Sequence, residues 1–455
     1  MENILKISKK ITPFNKELEI SGDKSISIRC VLLASQAVGI SKIYNLLESE
    51  DVMSALHAIK KLGIKYRKFR NHYSIYGFGI NGYNPKKNIK IDAGNSGTLA
   101  RLILGLLVNS KRKIKIIGDK SLSKRDFSRV TEPLKNFGVN IKIKKKNLPI
   151  TILGTEFLRP INYTEKLGSA QCKSCIMLAS IKTPGITKIK AKKSRNHTEL
   201  LFKSLKIPIK TISKKSNDYI EIKGPSNFKS FNYKIPGDIS SSAFFIVLTL
   251  LSEKSKLYIK NVNINDSRTG VIKILNKMNA KISYKNKKIY KGEYIGDILV
   301  KSRNKLIGVN CPKSLNSAAI DEFLIIFLVA AKAKGISYFK NLDELNQKES
   351  PRLIWASKIL NFMGVENTMT KSSIKIQGNP NLILDKKIVI NMVYVPPELR
   401  RGQFGSILVS FLFEEAKKRG FSNALMFSDH LQKANLYEAL GCINRGEFYE
   451  IKFEL

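Results

Sequence analysis

Residues 21–29 read SGDKSISIR; they follow the short apolar run Leu18-Glu19-Ile20 and open onto the apolar residues 30–34. A strand, a glycine turn and then hydroxyl-bearing residues at a helix start leave backbone N–H groups without helical partners, and Lys24 and Arg29 place positive charge beside them. Such a turn seats an anion, although taken alone it also describes an ordinary N-capped helix with two solvated basic residues. Repetition separates the two readings. A related turn recurs as GDKSLS at residues 118–123, and a looser one as PGDISS at residues 236–241.

Outward from these turns one pattern returns five times. A helix rich in Ala, Ser, Leu and Ile, apolar nearly all round, is followed by a strand, a polar turn, an amphipathic helix and another strand. The apolar helices are expected over residues 28–37, 97–108, 169–181, 240–251 and 318–331, and the amphipathic ones over 52–62, 130–137, 198–205, 270–278 and 352–363. Helices with no polar side are expected to be buried. If they lie parallel, their N-termini converge, and the polar starts Asp23-Lys24-Ser25, Asn95-Ser96-Gly97-Thr98, Ser169-Ala170-Gln171, Asp238-Ile239-Ser240 and Asp321-Glu322 form a pocket for anions.

Length and composition set the frame. At 455 residues the chain exceeds what one core usually supports, and 43% hydrophobic with 25% charged residues describes globular domains. MENILKISKK carries no long apolar stretch, and the apolar runs 243–251 and 323–331 are too short to span a bilayer, so a cytoplasmic protein without membrane contact is expected. Five scattered cysteines make no disulfide framework, and Cys172-Lys173-Ser174-Cys175 reads as a buried pair of thiols in a helix. The net charge of +44 is spread over every segment without interleaved aromatic platforms, which argues against specific nucleic-acid binding and leaves room for a basic cleft.

The motifs SGDKSISIR (21–29), GNSGTLAR (94–101), GDKSLSKR (118–125), GSAQCKS (168–174), SRNHTE (194–199), PGDISSSAFF (236–245), NDSRTG (265–270), IDEF (320–323) and LNQKESPRL (345–353) resemble the 5-enolpyruvylshikimate-3-phosphate synthase family, in that family's order. The resemblance covers about residues 10–380. It implies an α/β fold of two domains, each built from three βαβαββ units with buried parallel helices, and an active site in the cleft between them. The boundaries expected here are residues 18–234 for the first domain, 1–17 with 235–384 for the second, and 385–455 for a separate tail.

The implied reaction moves the enolpyruvyl group of phosphoenolpyruvate to the 5-hydroxyl of shikimate 3-phosphate and releases phosphate, without metal or organic cofactor, on the route to chorismate and the aromatic amino acids. Both substrates carry phosphate and carboxylate, which suits Lys and Arg with hydroxyl and backbone donors. By motif match, shikimate 3-phosphate would be held by Lys24, Ser25, Arg29, Ser169 with Ala170, Gln171, Ser194, Asp321 and Lys348. Phosphoenolpyruvate would be held by Lys24, Asn95, Gly97, Arg125 and Arg352. Adding an alcohol to an enol phosphate needs a base for the hydroxyl and an acid for the methylene carbon; the match assigns Asp321 as base and Glu349, with Lys24, as proton donor. A monomer is expected. A UDP-N-acetylglucosamine enolpyruvyl transferase would share the fold, but its loop cysteine has no counterpart.

Several positions depart from the family pattern: Ile28 stands for a usual His, Asp126 for a Pro, Asn196 for an acidic residue and Pro351 for another. Five units are visible where two domains of three need six, and the two cations that the sixth would bring to phosphoenolpyruvate are missing with it. From residue 386 the chain is instead similar to the second half of a GNAT acetyltransferase, with a strand at 388–395, a helix at 406–419 and a strand at 424–428. Its Arg400-Arg401-Gly402-Gln403 loop would cradle the pyrophosphate of acetyl-CoA, which makes acetyl transfer the alternative activity.

Overall fold

The computed structural model describes residues 12–85, 87–302, 305–347 and 350–382, and beyond them the strands Lys387–Ile390, Asn423–Met426, Ile443–Asn444 and Tyr449–Lys452. The chain forms two compact units, one of residues 1–358 with 367–380, the other of residues 359–366 with 381–455. Among the described residues no helix is long and apolar enough to cross a membrane.

The larger unit repeats one motif. Its first three sheets are ordered Asn232–Lys234, Val38–Tyr44, His72–Phe78, Lys65–Lys68; then Ile89–Asp92, Ile114–Ile117, Asn147–Leu153, Asn140–Lys144; then Asn162–Glu165, Gly185–Lys192, Asn217–Gly224, Ile209–Ser213. In each, the first pair is parallel and the others antiparallel, as a strand, helix, strand, helix and hairpin require. A fourth sheet runs Asn15–Glu19, Lys256–Asn263, Glu293–Lys301, Lys281–Tyr290 with the same pattern. The fifth has three strands, Gly335–Phe339, Ile374–Gly378 and Asn367–Met369, with isolated parallel bridges from Ile307 and Asn310 along its edge. One-sided burial explains the lysine content: in Gly185–Lys192, Thr187, Ile189 and Ala191 are buried while Lys188, Lys190 and Lys192 face water.

The apolar helices of the first three repeats, Lys24–Ala34, Gly97–Leu106 and Ala170–Ser180, share a continuous core that reaches from Ile26 to Ile235. The last two pack so closely that a Cβ on Gly105 would lie 2.2 Å from the Cys175 carbonyl oxygen, a contact only glycine permits. Cys172 and Cys175 are both buried here, as the sequence predicts, and burial pushes the Cys175 thiol far up.

Two expectations need correction. Burial all round fails for Ile239–Leu251, where Phe244 is 64% exposed and Phe245, Leu248 and Leu251 also face outward, with Leu324 of the neighbouring helix Phe323–Lys332. Two apolar helices cover each other on one side each, whereas the three of the earlier repeats enclose one another. The fifth helix, expected from residue 318, starts at Phe323, because Asp321 and Glu322 turn their carboxylates to tertiary partners and not to the helix end.

In the smaller unit, Lys387–Ile390 runs parallel to Asn423–Met426, which pairs antiparallel with Tyr449–Lys452 and through it Ile443–Asn444. The expected helix at 406–419 and loop at 400–403 lie outside the described residues.

Candidate active site

The polar turns of the sequence become helix caps. Asp23 accepts from the Ile26 N–H at 2.9 Å, Ser96 from Leu99 at 3.2 Å, Ser169 from Cys172 at 3.3 Å and Asp238 from Ser240 at 2.8 Å. Side chains then tie one helix start to the next: Gln171 donates to the Thr98 hydroxyl at 2.9 Å, the Lys24 N–H to Asp238 at 3.1 Å, and Ser240 to Glu322. The two chain passages at Gly22 and Gly237 lie side by side, with the Asp23 N–H on the Pro236 carbonyl at 2.8 Å and the Asp238 N–H on Ser21 at 3.1 Å. Gly22 is obligatory there, since a Cβ would come 2.1 Å from the Asn45 carbonyl oxygen. Arg268, fully buried, reaches Asp23 at 3.5 Å and Asp238 at 3.1 Å. Although burial opposes it, that guanidinium holds Asp23 below the usual carboxylate range, while burial and the neighbouring Asp23 push Asp238 up.

A cavity of about 220 Å³ opens beside these helix starts, lined by Arg101, Arg125, Arg129, Gly168, Ser169, Ala170, Gln171, Cys172, Ser194, Arg195, Ser317, Ile320 and Glu344. Its arginines are held in place. Arg101 stacks 4.7 Å over the Phe127 ring and donates to Gln171 at 3.1 Å and to the Asp126 carbonyl at 3.2 Å. Arg125 donates to Asn95 at 2.9 Å, and Asn95 to Asp119 at 2.5 Å. Arg129 pairs with buried Glu165 at 2.9 Å. Arg195 meets Asp321, whose other oxygen lies 3.5 Å from Arg352. A Cβ on Gly97 would sit 2.9 Å from both Arg101 and Arg125, so glycine lets two guanidiniums share that corner. Four cations round a small polar cavity recognise a dianion such as a phosphate ester.

Of the residues singled out in the sequence, Arg125, Ser169, Ala170, Gln171 and Ser194 line this cavity. Asn95, Gly97 and Asp321 stand behind its walls, bonded to Arg125, Arg101 and Arg195 respectively, with Arg352 behind Asp321. Lys24 is half exposed and paired with Asp51 at 2.7 Å; Ser25 sits beside it, its carbonyl accepting from Arg29 at 2.9 Å. Arg29 does not reach the cavity: it is 4% exposed, bonded to Thr198 at 2.8 Å and Ser174 at 3.1 Å, with burial lowering its pKa to about 10. Lys348 and Glu349 lie outside the described residues. Arg101 and Arg195 stand within the quoted motifs without a role of their own, and Arg129, in the first turn of the helix Ser128–Asn136 just after the motif that ends at Arg125, is named in none of them.

The departures from the family pattern have local explanations. Ile28 is wholly buried. Asp126 accepts from the Ser128 N–H at 2.7 Å and hydroxyl at 2.6 Å, ordering the entry to the helix Ser128–Asn136. The Asn196 amide oxygen accepts from Asn265 at 2.8 Å. Pro351 immediately precedes the helix Arg352–Phe362 and its carbonyl accepts from Trp355, a place where its missing N–H costs nothing.

Residues 374–442 match the acetyltransferase (GNAT) family. Residues 8–385 match the family described as EPSP synthase (3-phosphoshikimate 1-carboxyvinyltransferase). The 3-phosphoshikimate 1-carboxyvinyltransferase of Vesicomyosocius okutanii is 40% identical over 81% of this chain and 84% of its own length, and that of Clostridium tetani 36% identical over 80% and 81%. An EPSP synthase structure from Acinetobacter baumannii superposes with a TM-score of 0.74 at 33% identity, over 83% of this chain and 86% of that one. The enolpyruvyl transferase NikO from Streptomyces tendae, at 12% identity and a TM-score of 0.63 over 84% and 85%, shares the fold. With its repeated units, its arginine-lined cavity and these relatives, the chain belongs to the EPSP synthase (3-phosphoshikimate 1-carboxyvinyltransferase) family.

Proposed function

We propose that the chain transfers the enolpyruvyl group of phosphoenolpyruvate to the 5-hydroxyl of shikimate 3-phosphate. The observation that carries this reading is the cavity in which Arg101, Arg125, Arg129 and Arg195 meet the hydroxyl and amide groups of Ser169, Ser194 and Gln171. The phosphate and carboxylate of the two substrates divide among these cations, joined by Lys24 and Arg352. Asp321 takes the proton of the 5-hydroxyl as its oxygen bonds to C2 of phosphoenolpyruvate, and Glu349 with Lys24 delivers a proton to C3. Loss of a C3 proton then expels phosphate and restores the double bond, so atoms balance without a cofactor. Phosphate release from phosphoenolpyruvate that requires shikimate 3-phosphate is the expected result. Release with UDP-N-acetylglucosamine in its place would overturn the reading.

The cavity lies, in this reading, between a first domain of residues 18–234 and a second of residues 1–17 with 235–384. The core running from Ile26 to Ile235 and the pairing of Asn15–Glu19 with Lys256–Asn263 support that division, with Leu18 and Glu19 paired into the second domain's sheet and Ile235 packed into the first domain's core. The setting is a cytoplasmic monomer. For residues 385–455 the match to the acetyltransferase family favours a second reading, acetyl-CoA binding, expected at micromolar affinity and lost in Arg400→Ala.

A further inference from the structure

The motif SRNHTE does more than line the cavity. Ser194 and Arg195 face it, while the next four side chains turn away to partners on other elements. The Asn196 oxygen accepts from Asn265 at 2.8 Å. His197 Nδ1 lies 2.6 Å from Glu293 Oε1. Thr198 accepts from Arg29 at 2.8 Å and bonds Ser174 at 2.7 Å, and Glu199 pairs with Lys173 at 2.6 Å. His197 and Glu293 show no exposed side-chain surface. The second carboxylate oxygen of Glu293 accepts from Asn263 at 3.0 Å and from Asn265 at 2.9 Å, so one buried carboxylate holds both the ring of His197 and the amide that grips Asn196.

A buried polar pair contributes little stability over apolar side chains of the same volume, and its attested use is to fix one arrangement against near alternatives. Here the arrangement fixed is the backbone leading to Arg195. Glu293 begins a strand of the fourth sheet, His197 begins a helix of the third repeat, and Arg195, two residues upstream, meets Asp321 of the fifth. No sequence motif flags Glu293, since its partner lies 96 residues away.

We propose that His197 and Glu293 are positioning residues, a buried hydrogen-bonded pair that sets Arg195 against the anion in the cavity. This rests on the reading that the cavity takes shikimate 3-phosphate. The pair touches no substrate and acts through Arg195.

The test is calorimetric titration of the full chain with shikimate 3-phosphate, which requires no turnover. His197→Ala is expected to weaken binding about tenfold, within the range of couplings between residues of one network. His197→Asn, whose amide nitrogen falls where Nδ1 lies, should return to within about threefold of the parent. In an Arg195→Ala background, His197→Ala should add less than about twofold, because the residue through which it acts is gone. Parental affinity in a folded His197→Ala chain, failure of the asparagine to rescue, or the full tenfold loss in the Arg195→Ala background would each overturn the proposal. If His197→Ala does not fold, as judged by its melting transition, Glu293→Gln keeps the volume and takes its place in the same comparison. Parent protein that does not bind shikimate 3-phosphate at all would overturn the reading of the cavity, and this inference with it, whereas binding by the parent with no effect of the pair overturns the inference alone.

Discussion

The Lys24 ammonium stands 2.7 Å from the Asp51 carboxylate, so the cation at the start of the first helix is already paired by the next helix. Both groups are partly solvated, and such pairs contribute about 0.2–1 kcal/mol. Asp51→Asn should therefore leave the melting temperature nearly unchanged and tighten shikimate 3-phosphate binding by up to about fivefold. Lys24→Met should weaken it by about thirtyfold or more, the loss of about 2 kcal/mol expected when an anion loses a charge-assisted contact. Equal affinity in all three proteins, measured by calorimetry, would remove Lys24 from the site.

Asp321, held between Arg195 and Arg352, is assigned the hydroxyl proton. Asp321→Asn keeps the shape and loses the base, so turnover should fall by about 10²- to 10⁴-fold while binding of shikimate 3-phosphate changes little. A matching loss in both quantities would make Asp321 a binding group.

Lys182 offers a stability test far from the cavity. Its ammonium is buried against the Ile80 carbonyl, the Asn109 side chain at 3.0 Å and the face of Tyr83, and burial lowers its pKa to about 7. A lysine whose pKa falls on folding binds its proton more weakly in the folded chain. Its cost to stability is thus full below about pH 7 and fades as pH rises toward the unfolded value near about 10.4. Lys182→Met should gain most relative to the parent at pH 6 and progressively less by pH 9, read from urea unfolding at each pH. A constant difference across that range would show that Lys182 keeps its proton in the fold.

Phosphoenolpyruvate should bind less well than shikimate 3-phosphate. The match spans 84% of the Vesicomyosocius okutanii relative, and the cations that a sixth unit would bring are not among the motifs of the chain. Losing two charge-assisted contacts, each about 2–5 kcal/mol, should raise the Michaelis constant for phosphoenolpyruvate well beyond about 1 mM. A sub-millimolar value in steady-state kinetics would mean that other basic residues have taken over the clamp.

Periodicity revealed the repeats because each helix either hides every side or only one, and each strand alternates, as in the ITKIKAK run of residues 186–192. Capping chemistry was equally legible: Asp23, Ser96, Ser169 and Asp238 all cap as their positions suggest. What stayed hidden was partnership across long separations. Nothing near Arg29 tells that its guanidinium is consumed by Ser174 and Thr198, and nothing near Glu293 announces His197. The fifth helix starts later than local apolarity at residues 318–320 implies for the same reason, because that apolarity says nothing of the carboxylates that Arg195 and Ser240 draw away.

The outward Phe244, Phe245, Leu248 and Leu251 set the colloidal behaviour of the chain against its net charge of +44. At low ionic strength, repulsion between like-charged copies keeps these oily faces apart. Toward about 1 M salt the screening length shrinks to about 3 Å, and the apolar faces then meet. Added salt should therefore drive this polypeptide into self-association, and a single Phe244→Lys exchange should move the onset to higher salt in light scattering.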